Sequence, residues 1–129
     1  MNKRAIGTEY EDRAARWLED EGYQILCRNF RSSYGEIDLI ARQGKCLVFV
    51  EVKYRKNGGS GRPEEAVSAE KQRRICRTAD YYRIRNQISE AVPCRFDVIA
   101  IEEETVRHYT NAFAYNVAPV RGRYHGHSY

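Results

Sequence analysis

The pattern of apolar and polar residues predicts a helix near the start of the chain. Over residues 5–21 apolar side chains recur at helical spacing, and Gly22 suits the left-handed cap that ends many helices. Glu11 falls on the apolar side of this helix, one turn before Ala14 and two turns before Leu18. Because an unpaired acid facing the core is costly, we expect Glu11 to have a partner or to bind a metal ion.

Strand-like segments follow, and a second helix interrupts them. The predicted strands are residues 23–30, 35–42, 45–55, 94–102 and 105–113. Pro63 suits the first turn of a helix over residues 63–86, in which Lys71 shares the inward stripe with Val67 and Ile75. The order α-β-β-β-α-β-β predicts a single α/β domain with a mixed central sheet flanked by helices. We expect the domain to span residues 1–117, with a flexible glycine-rich loop at 56–62 and a mobile tail at 118–129.

Composition excludes several classes of protein. The 129 residues contain no apolar run of membrane-spanning length, and the basic start continues into charged residues without the apolar core of a signal peptide. The four cysteines form no Cys-x-x-Cys pair, and the three histidines lie far downstream of them, so a zinc site is not indicated. We therefore expect a cytoplasmic protein with reduced thiols and no membrane partner.

The placement of charge points to nucleic acid more than the net charge of +4 does. Lysine and arginine are concentrated in residues 53–62 and 71–85. One basic side suits a phosphate backbone, whereas a solvated helix face is the alternative that charge alone leaves open. Candidate phosphate contacts are Arg55, Lys71 and Arg74.

The third strand carries the residues of greatest chemical interest. Its side chains alternate between two faces, so Glu51 and Lys53 project from the same face. If residues 43–44 form a two-residue hairpin turn, Asp38 pairs with Phe49 and lies diagonal to Glu51. A slip of one residue would move Asp38 to the other face and separate the two acids.

Two carboxylates beside a lysine suit metal-assisted hydrolysis of a phosphodiester. Hard carboxylate oxygens bind Mg²⁺ or Mn²⁺ through a few ligands and leave room for water and substrate phosphate. In this interpretation Asp38 and Glu51 hold the metal, and Glu11 supplies a further ligand. Lys53 orients or deprotonates the attacking water, or stabilises the transition state.

Two motifs, GEIDLIA at residues 35–41 and FVEVK at 49–53, resemble the uncharacterised bacterial YraN family. The likeness extends in order over residues 4–117 and includes the Gly-x-x-x-Glu pattern ending at Glu11. That family is similar to the PD-(D/E)xK nucleases, near the archaeal Holliday-junction resolvases. The resemblance implies a restriction-endonuclease-like fold and matches Asp38 to the aspartate of the motif, and Glu51 and Lys53 to its ExK part. Ile37 stands where the group commonly has proline.

The sequence therefore favours a Mg²⁺- or Mn²⁺-dependent endonuclease acting on DNA, including branched or otherwise structured DNA. One alternative is a non-catalytic nucleic-acid-binding protein that retains the fold, and another is a protein-interaction module with a structural acidic cluster. A homodimer would match the two-fold symmetry of a four-way junction, but oligomeric state stays open at this stage.

Overall fold

The computed structural model of the chain describes residues 3–55 and 67–115. Its elements follow the order α-β-β-β-α-β-β, which confirms the predicted α/β class. The elements are α1 (Lys3–Asp20), β1 (Gln24–Arg31), β2 (Glu36–Gln43), β3 (Cys46–Tyr54), α2 (Ala69–Arg85), β4 (Cys94–Glu102) and β5 (Thr105–Phe113). The strand ends lie within one residue of the predicted ones.

Capping residues explain where the two helices end or begin. Gly22 adopts a φ of 93° after α1, and the Tyr23 N–H donates to the Leu18 carbonyl at 2.9 Å, which closes the helix as the sequence predicts. α2 begins at Ala69, because Ser68 is an extended N-cap residue whose side chain accepts from the Lys71 N–H at 3.1 Å. The predicted start of this helix was therefore too early.

Three predictions fall on residues outside the described ranges. They are the position of Pro63 in a helical turn, the glycine-rich loop at 56–62 and the tail at 118–129. Among the described residues no helix is long and apolar enough to cross a membrane. All four cysteines lie within the described residues and are free thiols.

The five strands form one sheet in the order β1-β2-β3-β4-β5. β3 and β4 are parallel, and the other neighbours are antiparallel, so α2 is the crossover between the two parallel strands. The β2–β3 turn differs from the prediction. Gln43 pairs with Cys46, which makes Gly44 and Lys45 the two turn residues, and Gly44 has the positive φ of 58° that such a turn requires.

The core lies on both faces of the sheet. On the face covered by α2, large apolar residues such as Phe49 and Phe96 pack with Ile75 and Ala79 of the helix. On the face covered by α1, Val48 and Ile99 pack against Ala14 and Leu18. The central strands β3 and β4 are thus buried on both sides, and a charged residue in the middle of either strand is removed from bulk water.

Candidate metal-binding site

The two predicted acids lie at the point where strands β2 and β3 separate. The last paired residues of the two strands are Leu39 and Val50, and continuing this register by one residue sets Asp38 opposite Glu51. Phe49 pairs with Ile40 and not with Asp38, so the predicted register was wrong by two residues. A shift of two residues preserves the face of each side chain, which is why the two acids still meet.

The backbone at this point holds the Asp38 side chain in place. The Val52 N–H donates to Asp38 Oδ2 at 2.8 Å, so the carboxyl group accepts a bond from the neighbouring strand where the ladder has ended. Ile37 belongs to the core beneath α2, whereas Leu39 belongs to the core beneath α1. A regular strand would place these two residues on one face, so β2 changes face across Asp38.

The irregularity of β2 has a counterpart in β1. Asn29 lies between Arg28, which pairs with Leu39, and Phe30, which pairs with Ile37. Its φ of 53° is left-handed, a conformation that asparagine tolerates better than most residues. This strained residue opposite Asp38 accompanies the separation of the strands and the opening of a site between them.

The carboxyl groups of Asp38 and Glu51 are shielded from solvent to different degrees, and Glu51 lies close enough to affect the pKa of Asp38. Glu51 exposes 5% of its surface, and Asp38 is half-buried. Burial raises the pKa of Asp38 to about 8; the charge of Glu51, a hydrogen bond between the two carboxyl groups and the charge of Glu11 act in the same direction. The bond from the Val52 N–H opposes this rise without outweighing it. Asp38 therefore holds a proton near neutral pH unless a cation replaces it.

Lys71 from α2 is the cation that contacts this pair. Its Nζ lies 2.5 Å from Glu51 Oε2, in an ion pair whose lysine side chain is 45% exposed. Burial alone would lower the pKa of Lys71, but its hydrogen bond to Glu51 and the charges of Glu51 and Asp38 raise it. Lys71 was predicted to share the inward stripe of α2; its side chain is exposed, but its ammonium group contacts the carboxylate of Glu51.

A cavity of about 310 Å³ opens onto the two acids. Its lining residues come from β2, β3, α2 and the turn before β2: Gly35, Glu36, Asp38, Glu51, Lys71, Arg74 and Ile75. A larger cleft of about 1060 Å³ near the β4–β5 turn contains neither Asp38 nor Glu51. The smaller cavity is the one that combines buried carboxylates, cations and access from solvent.

Glu11 lies near the pair but has its own partner. Asn29 Nδ2 donates to Glu11 Oε1 at 3.0 Å, and Arg28 binds the neighbouring Asp12 at 2.6 Å, so β1 fixes this part of α1. Across residues 3–55 and 67–115, no three acidic, histidine or cysteine side chains are grouped closely enough to hold a metal ion together. Glu11 as a third metal ligand stays a prediction.

The other candidate residues are placed at different distances from the carboxylates. Lys53 is exposed and does not line the cavity. Arg74 does line it and forms an ion pair with Glu70 at 3.1 Å. Arg55 is half-buried, and its backbone N–H donates to the Ile101 carbonyl at 2.8 Å. Their predicted catalytic and phosphate-binding roles are untested by this geometry.

Sequence reasoning missed two residues of the site. Asn29 holds Glu11 and marks the strand irregularity, and the signal for it was an asparagine inside a strand-like run, where that residue is disfavoured. Glu36 is half-buried, lines the cavity and binds Arg31 at 3.1 Å. Only the tertiary fold reveals its place beside Asp38.

The donor set fits a hard divalent cation. Asp38 and Glu51 are adjacent, and the charge of Glu51 raises the pKa of Asp38. If both groups are ionised, they form a local excess of negative charge that Lys71 offsets in part. Mg²⁺ is typically bound in proteins through one or two carboxylates, with water and phosphate oxygens completing the octahedron. Asp38 and Glu51 are therefore the residues that would hold such an ion.

Comparisons with known proteins identify relatives of the whole domain. A family model described as "Uncharacterised protein family UPF0102" matches residues 10–101. The UPF0102 protein of Lachnoclostridium phytofermentans is 52% identical over 113 residues, covering 88% of this chain and 96% of that protein. The UPF0102 protein of Persephonella marina is 43% identical over 107 residues, covering 83% and 91%. These matches agree with the family resemblance carried by the motifs of β2 and β3.

Proposed function

The chain belongs to the uncharacterised protein family UPF0102, and from its carboxylate site we propose that it is a Mg²⁺- or Mn²⁺-dependent endonuclease acting on DNA. The observation that carries this proposal is the adjacent Asp38–Glu51 pair, in which burial and the charge of Glu51 raise the pKa of Asp38 to about 8. A purely structural role gives no reason for two acids to be buried against each other. Strongly perturbed carboxyl groups in a cleft are typical of functional sites.

The protein supplies the geometry of the reaction centre. Asp38, fixed by the Val52 N–H, and Glu51 would hold the cation, with Glu11 as an additional ligand. Bound there, the cation supplies a Lewis acid that activates water and neutralises charge on the phosphodiester. Lys53 is proposed to position or deprotonate the attacking water from the same strand.

Cations beside the cavity support a phosphate-bearing substrate. Lys71 and Arg74 line the cavity, and Arg55 follows the end of β3. We propose that these three side chains contact phosphates on either side of the cleaved bond, which would position the strand without reading its sequence. Lys71 would then exchange its contact with Glu51 for a substrate phosphate once a metal ion neutralises the carboxylates.

Cleavage of a labelled DNA panel tests the proposal. Linear duplex, single-stranded, flapped and four-way-junction DNA are incubated with wild type, Asp38→Asn and Glu51→Ala in Mg²⁺, Mn²⁺ or EDTA. Glu104→Gln, in the exposed β4–β5 turn and outside the lining of this cavity, is the matched control. We expect cutting by wild type and Glu104→Gln only with metal, and a loss of at least about 100-fold in the two site variants.

Cleavage that persists in EDTA or in Glu51→Ala would contradict the proposal. Absence of cleavage by wild type on every substrate would favour the second candidate, a nucleic-acid-binding protein that retains the fold. The Lys71–Glu51 ion pair is the observation that favours it, because an internal cation already neutralises part of the site. That candidate predicts salt-sensitive DNA binding that is unchanged by metal.

A further inference from the structure

A short turn beside the cavity presents an exposed tyrosine in a fixed position. The Ser32 N–H donates to the Gly35 carbonyl at 2.8 Å, and the Tyr34 N–H donates to Ser32 Oγ at 3.0 Å. Ser32 Oγ also lies 3.1 Å from Thr78 Oγ1, which ties the turn to α2. The turn is therefore held by hydrogen bonds, although the Tyr34 side chain is 45% exposed.

The turn lies directly against α2 next to the carboxylates. A Cβ placed on Gly35 would be 3.4 Å from the Arg74 Cβ and 3.6 Å from Thr78 Oγ1, which is ordinary van der Waals contact. Gly35 and Arg74 both line the cavity that contains Asp38. Tyr34 is thus one residue from the wall of the proposed reaction site.

Basic and aromatic side chains follow one another along the surface of α2, starting from the cavity. Arg74, Arg77 and Tyr81 share one face of α2, since they are three and four residues apart. The Arg77 guanidinium carbon lies 5.7 Å from the centre of the Tyr34 ring, and Tyr81 packs at 6.0 Å from Phe30 with 39% of its surface exposed. We call these four residues the tyrosine–arginine strip: Tyr34, Arg74, Arg77 and Tyr81.

The strip has the chemistry of a surface for unpaired nucleotides. Aromatic rings and guanidinium planes stack on bases, and the guanidinium charges also attract phosphates. Bases inside a duplex present edges to a protein surface, whereas unpaired bases present their faces. From Arg74 to Tyr81 the helix rises about 10 Å, a span comparable to about three nucleotide steps.

We propose that the tyrosine–arginine strip binds a single-stranded segment of nucleic acid adjoining the bond that the carboxylate site cleaves. Tyr34 and Tyr81 stack on successive bases, and Arg74 and Arg77 bind the intervening backbone. The inference rests on the proposed function and narrows it to substrates with unpaired nucleotides next to the cleaved bond, such as a flap or a single-stranded arm. Fully paired linear duplex would lack the bases that the strip binds.

Binding in EDTA tests the strip separately from cleavage. A fluorescent single-stranded oligonucleotide and the matching duplex are titrated with wild type, Tyr34→Ala and Tyr81→Ala, and affinity is measured by anisotropy. Each alanine variant should weaken single-strand binding by about 5- to 150-fold, the range for loss of one stacked base, and leave duplex binding unchanged. The variants Tyr34→Phe and Tyr81→Phe keep the ring and should bind as wild type does.

Two further readouts separate stacking from a structural effect. A 2-aminopurine base in the single strand should be quenched on binding to wild type, and one quenched position should recover in each alanine variant. Arg77→Ala should weaken single-strand binding more than Arg107→Ala, an exposed arginine on β5 at the far edge of the sheet.

Several outcomes would overturn the strip. Unchanged single-strand affinity in both alanine variants, an equal loss in the phenylalanine variants, or preference for an acidic peptide over any nucleic acid would each do so. Metal-dependent cutting with no effect of the tyrosines would leave the nuclease standing without the strip. Tyrosine-dependent single-strand binding without cutting would support the strip and remove the nuclease.

Discussion

Two aspartates, Asp38 and Asp97, lie on opposite faces of the sheet, and they differ in the number of their hydrogen-bond partners. Asp97 in β4 is fully buried on the α1 side and accepts from Arg95 at 2.9 Å and from the Asn111 N–H at 2.9 Å. His108 Nε2 lies 2.8 Å from its other oxygen. Asp38 in β2 accepts one backbone hydrogen bond and shares its cavity with a second acid.

The consequences for protonation are opposite. Burial alone would raise the pKa of Asp97, but the bonds from His108, Arg95 and the Asn111 N–H outweigh it and hold the pKa below its usual value. Trp17 Nε1 donates to His108 Nδ1 at 3.2 Å, so the other ring nitrogen of the histidine is the one that faces Asp97. Within residues 3–55 and 67–115 Asp38 has no comparable set of donors, and burial and the charge of Glu51 raise its pKa.

A shared backbone feature sharpens the contrast. Asn29 lies across from Asp38 and Asn111 beside Asp97, and both have a φ of 53°. The backbone N–H of Asn111 turns to the Asp97 carboxylate, whereas the side chain of Asn29 turns to Glu11. The irregularity at Asn111 thus gives Asp97 a hydrogen-bond donor, whereas the irregularity at Asn29 gives none to Asp38. The comparison shows that donors, more than burial, distinguish a structural acid from a candidate ligand.

The largest expected effect is on the stability contributed by Asp97. Asp97→Asn should lower the free energy of unfolding by about 3–5 kcal/mol, because Arg95 then loses its buried counter-ion and His108 its charged partner. Asp38→Asn, the matched change, should leave stability in EDTA at neutral pH unchanged or higher. Urea denaturation followed by circular dichroism measures both. Equal losses would show that the two acids are both structural.

The ionisation of Asp38 should make the free energy of unfolding depend on pH. Its carboxyl group keeps a proton up to about pH 8 when folded but loses it near pH 3.8 when unfolded. A raised folded-state pKa means that the contribution of Asp38 to stability is greatest below pH 4 and falls as pH rises toward 8. In EDTA, Asp38→Asn should remove from this window a decline of at most about 1.4 kcal/mol per pH unit.

The exposed Glu104→Gln variant provides the control for that slope. It should keep the wild-type decline between pH 4 and pH 8, because Glu104 lies in the β4–β5 turn. A slope that is the same in wild type and Asp38→Asn would mean that Asp38 is ionised in the folded protein. The contrast with Asp97 would then disappear.

The smallest expected effect concerns Lys71. Because its side chain is 45% exposed, its ion pair with Glu51 should contribute about 1 kcal/mol or less to stability. Lys71→Met should nevertheless raise Mn²⁺ affinity by about five-fold, since it removes a positive charge from beside the ligands. Lys71→Arg keeps the charge and should bind Mn²⁺ as wild type does. Weaker metal binding in Lys71→Met would contradict the account of this pair.

The sequence predicted the fold well, because local signals marked its boundaries. Gly22 ends α1 with a left-handed φ, and the alternating apolar runs identified each strand within a residue of its ends. The facing of Asp38 and Glu51 was predicted correctly even with the wrong turn, because an error of two residues preserves strand faces. The start of α2 was missed because Pro63 was favoured over Ser68 as its first signal.

The site's contacts depended on tertiary structure that local patterns do not encode. Lys71 reaches Glu51 across the crossover between β3 and α2, and Asn29 reaches Glu11 from a strand to a helix. His108 of β5 contacts both Asp97 of β4 and Trp17 of α1, and nothing in the local sequence around His108 indicates either partner. The apolar periodicity of a helix or strand does not indicate which distant residue a side chain will contact.

A titration with Mn²⁺ tests most directly whether Asp38 and Glu51 form a metal site. Electron paramagnetic resonance measures the free and the bound ion. Wild type and Glu104→Gln are compared with Asp38→Asn and Glu51→Gln at pH 8, where the proton on Asp38 competes least. We expect saturable Mn²⁺ binding by wild type and Glu104→Gln. The affinity for Mn²⁺ should be at least about ten-fold weaker in Asp38→Asn and Glu51→Gln. Equal Mn²⁺ binding by all four proteins, or none by wild type, would contradict the claim that Asp38 and Glu51 form a metal site.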